Sequence, residues 1–194
     1  MRDWKEIVIH HSAAPDSRIS NDWEAIRRYH TSWRYKDEII TPEKAQDLIN
    51  SHTLGVIAPW EGIGYHFGLE YENNKLHYRI GRGLDKVGAH TLNHNLLAIG
   101  ICCVGNYDIT PPTEETYTAC AQLVLDLMQI FKIPIEKIYP HRLFAPKTCP
   151  GKLFDLEYMK DIILGGKIPY DPNHDPPPLF PQVKEPGTEG NPPL

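Results

Sequence analysis

Two long apolar runs constrain the fold of this chain more than any other feature of its sequence. Residues 96–104 are apolar apart from Gly100, and residues 6–11 contain three β-branched residues in succession. Runs of this kind are typical of strands that are buried on both faces of a sheet. Because helices cover both faces of such sheets, the runs predict an α/β fold in which helices flank a central mixed sheet.

Other segments extend this sheet and supply its helices. Residues 64–70 and 75–80 have strand-like composition and are separated by an Asn-Asn pair, which predicts a hairpin. Residues 135–139 are predicted to be a strand or an extended segment. Apolar spacing and capping residues predict helices that begin at Ser20 or Asn21, at Thr41, at Thr113 and at Leu153.

The helix from Thr113 to Lys132 has the strongest pattern, with Leu123, Leu127 and Ile130 on its apolar face. The helix after Ser20 is expected to extend to Trp33. The span from Tyr35 to Trp60 is otherwise irregular, and we expect it to form one wall of a cleft.

Length and composition bound the domain organisation. A chain of 194 residues with 41% hydrophobic content suits one well-cored domain, which we place at residues 1–165. Residues 166–194 contain nine of the 18 prolines, which predicts an extended or disordered tail. The net charge of -5 and the lack of a basic run argue against a nucleic-acid or anionic-membrane binder.

The cellular compartment is indicated by features that the sequence lacks. The first residues do not resemble a secretory signal, and no stretch is long enough to span a bilayer. We therefore expect cytoplasmic synthesis without a signal peptide and no membrane insertion. Four cysteines without a C-x-x-C pair fit a reducing compartment. Cys102 and Cys103 are predicted to be core thiols, whereas the neighbours of Cys149 indicate chemistry.

Three residues from opposite ends of the chain suit a single zinc ion. His10 lies at the carboxyl end of the first predicted strand, and His141 and Cys149 lie on a loop stiffened by prolines. Imidazole and thiolate ligands favour zinc, and catalytic zinc sites use three protein ligands and leave one position open. Each residue alone is more often structural, but the combination favours a metal site. Since neighbouring strand residues face opposite sides, only one of His10 and His11 can belong to it.

This combination resembles the zinc-dependent N-acetylmuramoyl-L-alanine amidases of the phage lysozyme and peptidoglycan-recognition-protein type, known as amidase type 2. The matching segments run in family order over roughly residues 5–163. They read IVIHHSA from Ile7, GYHF from Gly64, GRG from Gly81, VGAH from Val87, NHN from Asn93, IGI from Ile99, VGN from Val104 and HRLFAPKTCP from His141. Each segment alone is a weak signal, but the ordered series is specific.

The resemblance implies a set of roles for individual residues. It implies that His10, His141 and Cys149 are the Zn²⁺ ligands and that Tyr65 and Lys147 are catalytic. The implied reaction is hydrolysis, by zinc-activated water, of the amide between the lactyl group of N-acetylmuramic acid and the L-alanine of the stem peptide. The implied partner is peptidoglycan or a muropeptide, and we expect a monomer.

The family divides at two positions that can be located in this sequence. Some amidases use Asp as the third ligand and carry a Glu in the strand that here reads Ile101-Cys102-Cys103. Cys149 and the lack of that Glu resemble the phage lysozyme arrangement. His90 and residues 93–95 are expected to line the cleft or to support a ligand imidazole. Arg82 and Trp60 are candidate substrate contacts that the sequence does not place.

Several functions remain open at this point. The missing signal fits either a phage or prophage endolysin or a cytosolic peptidoglycan-recycling amidase, and the lysozyme-like ligands favour the endolysin. A non-catalytic peptidoglycan-binding module would share the fold. A cysteine hydrolase would use Cys149 as nucleophile with His10 or His141 as base. A structural zinc site is disfavoured because such sites are closed by four protein ligands.

Overall fold

The strands of this computed structural model, which describes residues 2–13 and 22–166, form one large and one small sheet. In chain order they are β1 (Glu6–His11), β2 (Arg34–Tyr35), β3 (Glu38–Ile39), β4 (Phe67–Glu72), β5 (Lys75–Ile80), β6 (Ala98–Cys103) and β7 (Ile138–Pro140). The large sheet has the order β5-β4-β6-β1-β7, and β2 pairs with β3 in a separate hairpin.

The large sheet is mixed, as the sequence predicts. Strand β1 lies between β6 and β7 and runs parallel to both. Strand β4 is parallel to β6 and antiparallel to β5. All six residues of β6 are buried, which confirms that the apolar run around Gly100 forms the central strand.

Four helices are present in the described residues: α1 (Trp23–His30), α2 (Pro42–Asn50), α3 (Glu114–Phe131) and α4 (Leu156–Leu164). Thr41 and Thr113 cap α2 and α3 with their hydroxyl groups, at the predicted positions. These observations confirm a single α/β domain with helices that flank a mixed sheet. No helix among these residues is both long and apolar enough to cross a membrane.

Several helix boundaries differ from the prediction. Helix α1 is capped by Asp22 and ends before Trp33; Ser20 and Asn21 lie outside the described residues. Helix α4 begins at Leu156 because Asp155 supplies its cap. At the end of α3, Ile130 is 44% exposed, so that position of the predicted apolar face lacks a covering neighbour.

The strand predictions also need corrections. Residues 64–66 precede β4 rather than belong to it, and the hairpin turn is confined to Asn73 and Asn74, which have φ angles of 52° and 58°. Residues 135–139 begin with a 3₁₀ turn at Ile135–Lys137 before β7. The β2–β3 hairpin lies in the span that the sequence left irregular. The predicted tail lies outside the described residues, apart from Gly166, so the domain boundary stays a prediction.

Apolar side chains pack on both faces of the sheet. The larger cluster joins alternate residues of β1 and β6, such as Ile9 and Ile101, to α3 and α4. The smaller cluster contains Trp23 and Ile26 of α1 together with Cys102. Cys102 and Cys103 are fully buried and therefore lie in the core, as predicted.

A buried carboxylate attaches α1 to this smaller layer. The backbone N–H of Trp23, at the start of α1, donates to Glu70 Oε1 at 2.8 Å. Arg79 Nε donates to Glu70 Oε2 at 2.6 Å, and Arg79 Nη2 donates to Glu72 Oε2 at 2.8 Å. Glu70 is 5% exposed, so its negative charge faces the positive end of the helix in a poorly solvated position. The contact holds α1 against the sheet.

The two carboxylates that share Arg79 provide a matched test of this contact. Replacing the buried carboxylate in Glu70→Ala leaves the helix N–H and Arg79 Nε without their partner, while Arg79 Nη2 keeps Glu72, so we expect a loss of about 1–3 kcal/mol in the free energy of unfolding. Glu72→Ala removes the exposed partner and should cost less than about 1 kcal/mol. Urea denaturation measures both. Equal losses in the two variants would contradict the anchoring role of Glu70.

Candidate metal centre

The parallel pairing of β1 with β7 brings two histidines together. His10 is the fifth residue of β1, and Ile9 of β1 is paired with Pro140, the last residue of β7. His141 follows Pro140 directly and begins a 3₁₀ turn. The ring centroids of His10 and His141 are therefore only 4.5 Å apart, although 131 positions separate the residues in sequence.

The loop after His141 folds back and delivers Cys149. The backbone N–H of Arg142 donates to the carbonyl of Cys149 at 2.6 Å, which closes the loop at its base. The Thr148 hydroxyl donates to Asp108 Oδ2 at 2.6 Å and ties the returning segment to the domain. Cys149 is buried, and its Sγ accepts from the backbone N–H of His11 at 3.4 Å.

The donor atoms of His10, His141 and Cys149 fit a zinc ion. One ligand atom from each lies within 4.8 Å of the other two. His10 Nδ1 is 3.6 Å from Cys149 Sγ. Tetrahedral zinc with usual bond lengths separates a nitrogen and a sulfur ligand by about 3.6 Å. Within residues 2–13 and 22–166 no fourth His, Cys, Asp or Glu joins the group, so a metal bound there would keep an open position.

The electrostatics of the site keep its imidazoles neutral. Burial, reinforced by His90 and His141, lowers the pKa of His10 well below 6.5. Burial and the Lys147 charge lower the pKa of His141 to about 4. Burial raises the pKa of the Cys149 thiol to about 12, against the opposing effects of the His11 N–H and Lys147. Neutral imidazoles are ready to bind a metal, whereas the thiol must release its proton when the metal binds.

His11 is separated from this group, as the strand alternation predicts. Its Nδ1 accepts from the backbone N–H of Tyr107 at 3.2 Å, and its ring stacks on Tyr107 at a centroid distance of 6.1 Å. Tyr107 belongs to the larger apolar cluster. His10 and His11 therefore face opposite sides of the sheet.

His141 and Cys149 line a cleft of about 710 Å³, and the buried His10 lies directly against both of them. Its walls include His30, Trp60, Tyr65 and Lys147, so Trp60 lines the cleft and its contact with substrate stays a prediction. The far wall comes from the span that ends at Trp60, which confirms that this region lines a cleft. Arg82 belongs to a separate cavity, where it donates to the carbonyls of Ile63 and Val87 at 2.8 and 2.7 Å.

The two residues predicted to be catalytic lie in the same cleft. The Tyr65 ring centroid is 5.0 Å from that of His10. Burial and the nearby Cys102 and Cys149 thiols raise the pKa of Tyr65 well above 10, so its hydroxyl keeps its proton near neutral pH. Lys147 is exposed on the rim, and its charge contributes to the lowered pKa of His10 and of His141. The structure brings both residues to the metal group, while their catalytic roles stay predictions.

His90 contacts the ring of His10 on the side away from Cys149. His90 lines the cleft, and burial together with His66 lowers its pKa to about 3. Asn95 Oδ1 accepts the backbone N–H groups of His90 and Thr91 at 2.9 and 2.8 Å. His94 instead contacts Glu6 Oε2 at 2.7 Å and does not line the cleft.

Sequence reasoning missed one cation in the cleft. Arg34 is 3% exposed and lies between the rings of Tyr29 and Trp60, at 4.9 and 4.5 Å from their centroids. The β2–β3 hairpin places it there, and its backbone pairs with Ile57. The apolar spacing of the sequence does not identify Arg34, because two-residue strands have no detectable periodicity. The only sequence signal for a buried cation in this region is its aromatic residues, such as Tyr29 and Trp60.

Comparison with known proteins identifies relatives of this chain. Its sequence matches the family described as N-acetylmuramoyl-L-alanine amidase over residues 1–152. It is 31% identical to peptidoglycan-recognition protein SC2 of Drosophila melanogaster over 144 residues, which are 72% of this chain and 74% of the relative. It is 37% identical to the human N-acetylmuramoyl-L-alanine amidase over 110 residues, which are 50% of this chain and only 17% of the human protein.

Solved structures share the fold at lower identity. The amidase LysC from Clostridium intestinale URNW superposes with a TM-score of 0.56 at 23% identity, over 84% of this chain and 87% of that one. Peptidoglycan recognition protein-LE, solved with tracheal cytotoxin, gives a TM-score of 0.55 at 22% identity over 82% and 81% of the two chains. The sequence match covers most of the described domain, and this chain belongs to the N-acetylmuramoyl-L-alanine amidase family.

Proposed function

We propose that the protein is a zinc-dependent peptidoglycan hydrolase that cleaves the amide between the lactyl group of N-acetylmuramic acid and the L-alanine of the stem peptide. The observation that carries the proposal is the convergence of His10, His141 and Cys149 at the wall of an open cleft, which His141 and Cys149 line, with a 3.6 Å separation between His10 Nδ1 and Cys149 Sγ. Membership of the amidase family supports the same reaction.

Three of the site residues would bind the metal, and Lys147 would set the protonation states of those ligands. His10, His141 and Cys149 would hold zinc, which when bound supplies Lewis acidity and a hydroxide nucleophile near neutral pH. Lys147 favours the ligand forms that bind metal, because its charge lowers the pKa of both imidazoles and of the Cys149 thiol. Before substrate arrives, its charge therefore opposes protonation of the site.

Our proposal also gives Lys147 and Tyr65, which line the cleft, roles toward the substrate. Attack on an amide carbonyl places negative charge on its oxygen, and a cation or hydroxyl donor at that oxygen lowers the barrier. Lys147 supplies a cation on the rim of the cleft, and Tyr65 supplies a hydroxyl that stays protonated because its pKa is raised. We assign oxyanion stabilisation to Lys147 and donation to the oxyanion, or orientation of the attacking water, to Tyr65.

The same three residues argue against a cysteine hydrolase. A nucleophilic cysteine needs a thiolate, which usually requires a lowered pKa and a positively charged neighbour. Here burial raises the pKa of Cys149 to about 12 and lowers that of His10, so the neutral thiol and imidazole are the favoured pair. The 3.6 Å contact therefore fits two ligands of one metal better than a nucleophile and its base.

The biological setting follows from the form of peptidoglycan that is cleaved. We propose an endolysin that acts on the intact wall, in line with the fold shared with an endolysin amidase of Clostridium intestinale URNW. A recycling amidase would prefer soluble muropeptides. A binding module would retain the cleft without turnover. Recognition proteins among the structural neighbours were solved in complex with tracheal cytotoxin, so this fold can bind a peptidoglycan fragment.

Digestion of purified sacculi by the full chain tests the proposed reaction. Mass spectrometry should detect free stem peptides that begin with L-alanine, and a zinc chelator should stop their release until zinc is restored. Cys149→Ser, which replaces the thiolate ligand, should behave like the chelated protein. Release that continues after chelation would favour the cysteine hydrolase, and wall binding without release would favour the binding module. Parallel assays on soluble muropeptides separate the endolysin from the recycling enzyme.

Lys147→Ala tests the oxyanion role. Because a cation at the developing oxyanion is lost while the three ligands remain, we expect the hydrolysis rate to fall by about 10²- to 10³-fold with zinc stoichiometry unchanged. Lys152→Ala removes a nearby exposed lysine that is not part of the cleft wall and should leave the rate unchanged. Rate assays and metal analysis of the same samples measure both effects. A wild-type rate in Lys147→Ala would exclude the role.

A further inference from the structure

A chain of hydrogen bonds runs from the sheet to the metal-facing side of His10. His90 Nε2 lies 3.2 Å from the backbone carbonyl oxygen of Ala98, the first residue of β6. His90 Nδ1 lies 3.1 Å from His10 Nε2. On the other edge of the His10 ring, Nδ1 is 3.6 Å from Cys149 Sγ. The three contacts connect a fixed backbone group to a proposed metal ligand.

The chemistry of these groups determines which nitrogen carries each proton. A carbonyl oxygen only accepts, so His90 Nε2 must carry a hydrogen and donate it to Ala98. A neutral imidazole has one N–H, so His90 Nδ1 is an acceptor. The group that donates to it is then His10 Nε2–H. His10 Nδ1 is left with its lone pair directed to the side of Cys149, where a metal would bind.

The contacts of Thr91 are compatible with a hydrogen on Nε2 of His10 and of His90. Its hydroxyl oxygen is 2.9 Å from His90 Nδ1 and 3.4 Å from His10 Nε2. The hydroxyl can donate to the first nitrogen or accept from the second. Both arrangements are compatible with a hydrogen on His10 Nε2. Thr91 is 1% exposed, so bulk water has little access to the junction of the two rings.

Two glycines make room for the His90 ring. A Cβ atom at Gly100, in the middle of β6, would lie 2.5 Å from His90 Cδ2, and a Cβ atom at Gly88 would also lie 2.5 Å from it. Real Cβ contacts are essentially never that short. Gly100 is the exception in an otherwise apolar strand, and the His90 ring accounts for that exception. The sheet is therefore shaped to hold this imidazole behind His10.

We infer that His90 is a positioning residue that holds His10 in the Nε2–H tautomer and so presents Nδ1 to the metal. The inference rests on the proposed function for the identity of the metal ligand. Metal-bound histidines usually donate their second N–H to a carboxylate, a carbonyl or a water. Here an imidazole takes that place, and the backbone carbonyl of Ala98 determines the tautomer of both rings.

Nitrogen-15 NMR of the metal-free full chain tests the tautomer directly. In the wild-type protein, His10 should show the Nε2–H form. His90→Leu removes the acceptor and should give a mixture of tautomers, with zinc bound about 10- to 100-fold more weakly in a competition assay. His90→Asn keeps an acceptor oxygen near the position of Nδ1 and should restore most of the Nε2–H form and of the zinc affinity.

His94→Leu is the matched control. His94 belongs to the same segment, but its imidazole contacts Glu6 Oε2 at 2.7 Å and packs on the ring of Phe144 at a centroid distance of 3.8 Å, away from His10 and His90. His94→Leu should leave the His10 tautomer and the zinc affinity unchanged. An Nδ1–H form of His10 in the wild-type protein would overturn the inference without any variant. So would an unchanged tautomer and zinc affinity in His90→Leu.

The outcomes separate this inference from the proposed reaction. If zinc-dependent hydrolysis is observed while His90→Leu keeps the His10 tautomer, the positioning role fails and the amidase remains. If the wild-type protein binds no zinc, the proposed function fails, whereas the tautomer in the metal-free protein still reports whether His90 controls His10.

Discussion

The parallel pairing of β1 with both of its neighbours is the interaction on which the site depends. Pairing with β7 places His141 beside His10, and pairing with β6 places Gly100 beside Val8, two residues before His10. The ladders are buried and made by backbone groups, so they hold the relative positions of these residues without help from the metal. The loop that delivers Cys149 completes a group that the sheet has already organised.

Burial then decides the protonation state of that group. The same desolvation that lowers the pKa of His10 and His141 raises the pKa of Cys149. A divalent metal offsets the free-energy cost of deprotonating the buried thiol, because the metal binds the thiolate form. The imidazoles are already neutral, so metal binding does not change their protonation. The exposed Lys147 adds positive charge at the rim, where a substrate carbonyl would enter. The proposed metal ligands His10 and Cys149 are therefore buried, whereas the side of the cleft that substrate would enter is exposed to solvent.

Much of this arrangement could be predicted from sequence because it leaves strong local signals. Strand β6 is buried on both faces, so its sequence is a continuous apolar run. The start of α3 could be predicted because Thr113 is a favourable N-cap residue. The β2–β3 hairpin left no such signal, since its strands have two residues each and its turn uses Lys36 and Asp37 at φ angles of 51° and 63°. Apolar spacing identified the buried face of α3, but it could not predict that this face becomes exposed at Ile130, where no neighbouring element of the described chain covers it. The contact between His90 and His10 depends on tertiary packing that no spacing encodes.

The central claim is that one metal ion is held by two imidazoles and one thiolate, and X-ray absorption spectroscopy of the zinc-loaded full chain tests it most directly. The account predicts a zinc shell with one sulfur at about 2.3 Å and nitrogen or oxygen ligands at about 2.0–2.1 Å, with the outer-shell scattering of two imidazoles. The sulfur contribution should disappear in Cys149→Ser. A wild-type shell without sulfur, or one made only of oxygen ligands, would contradict the account.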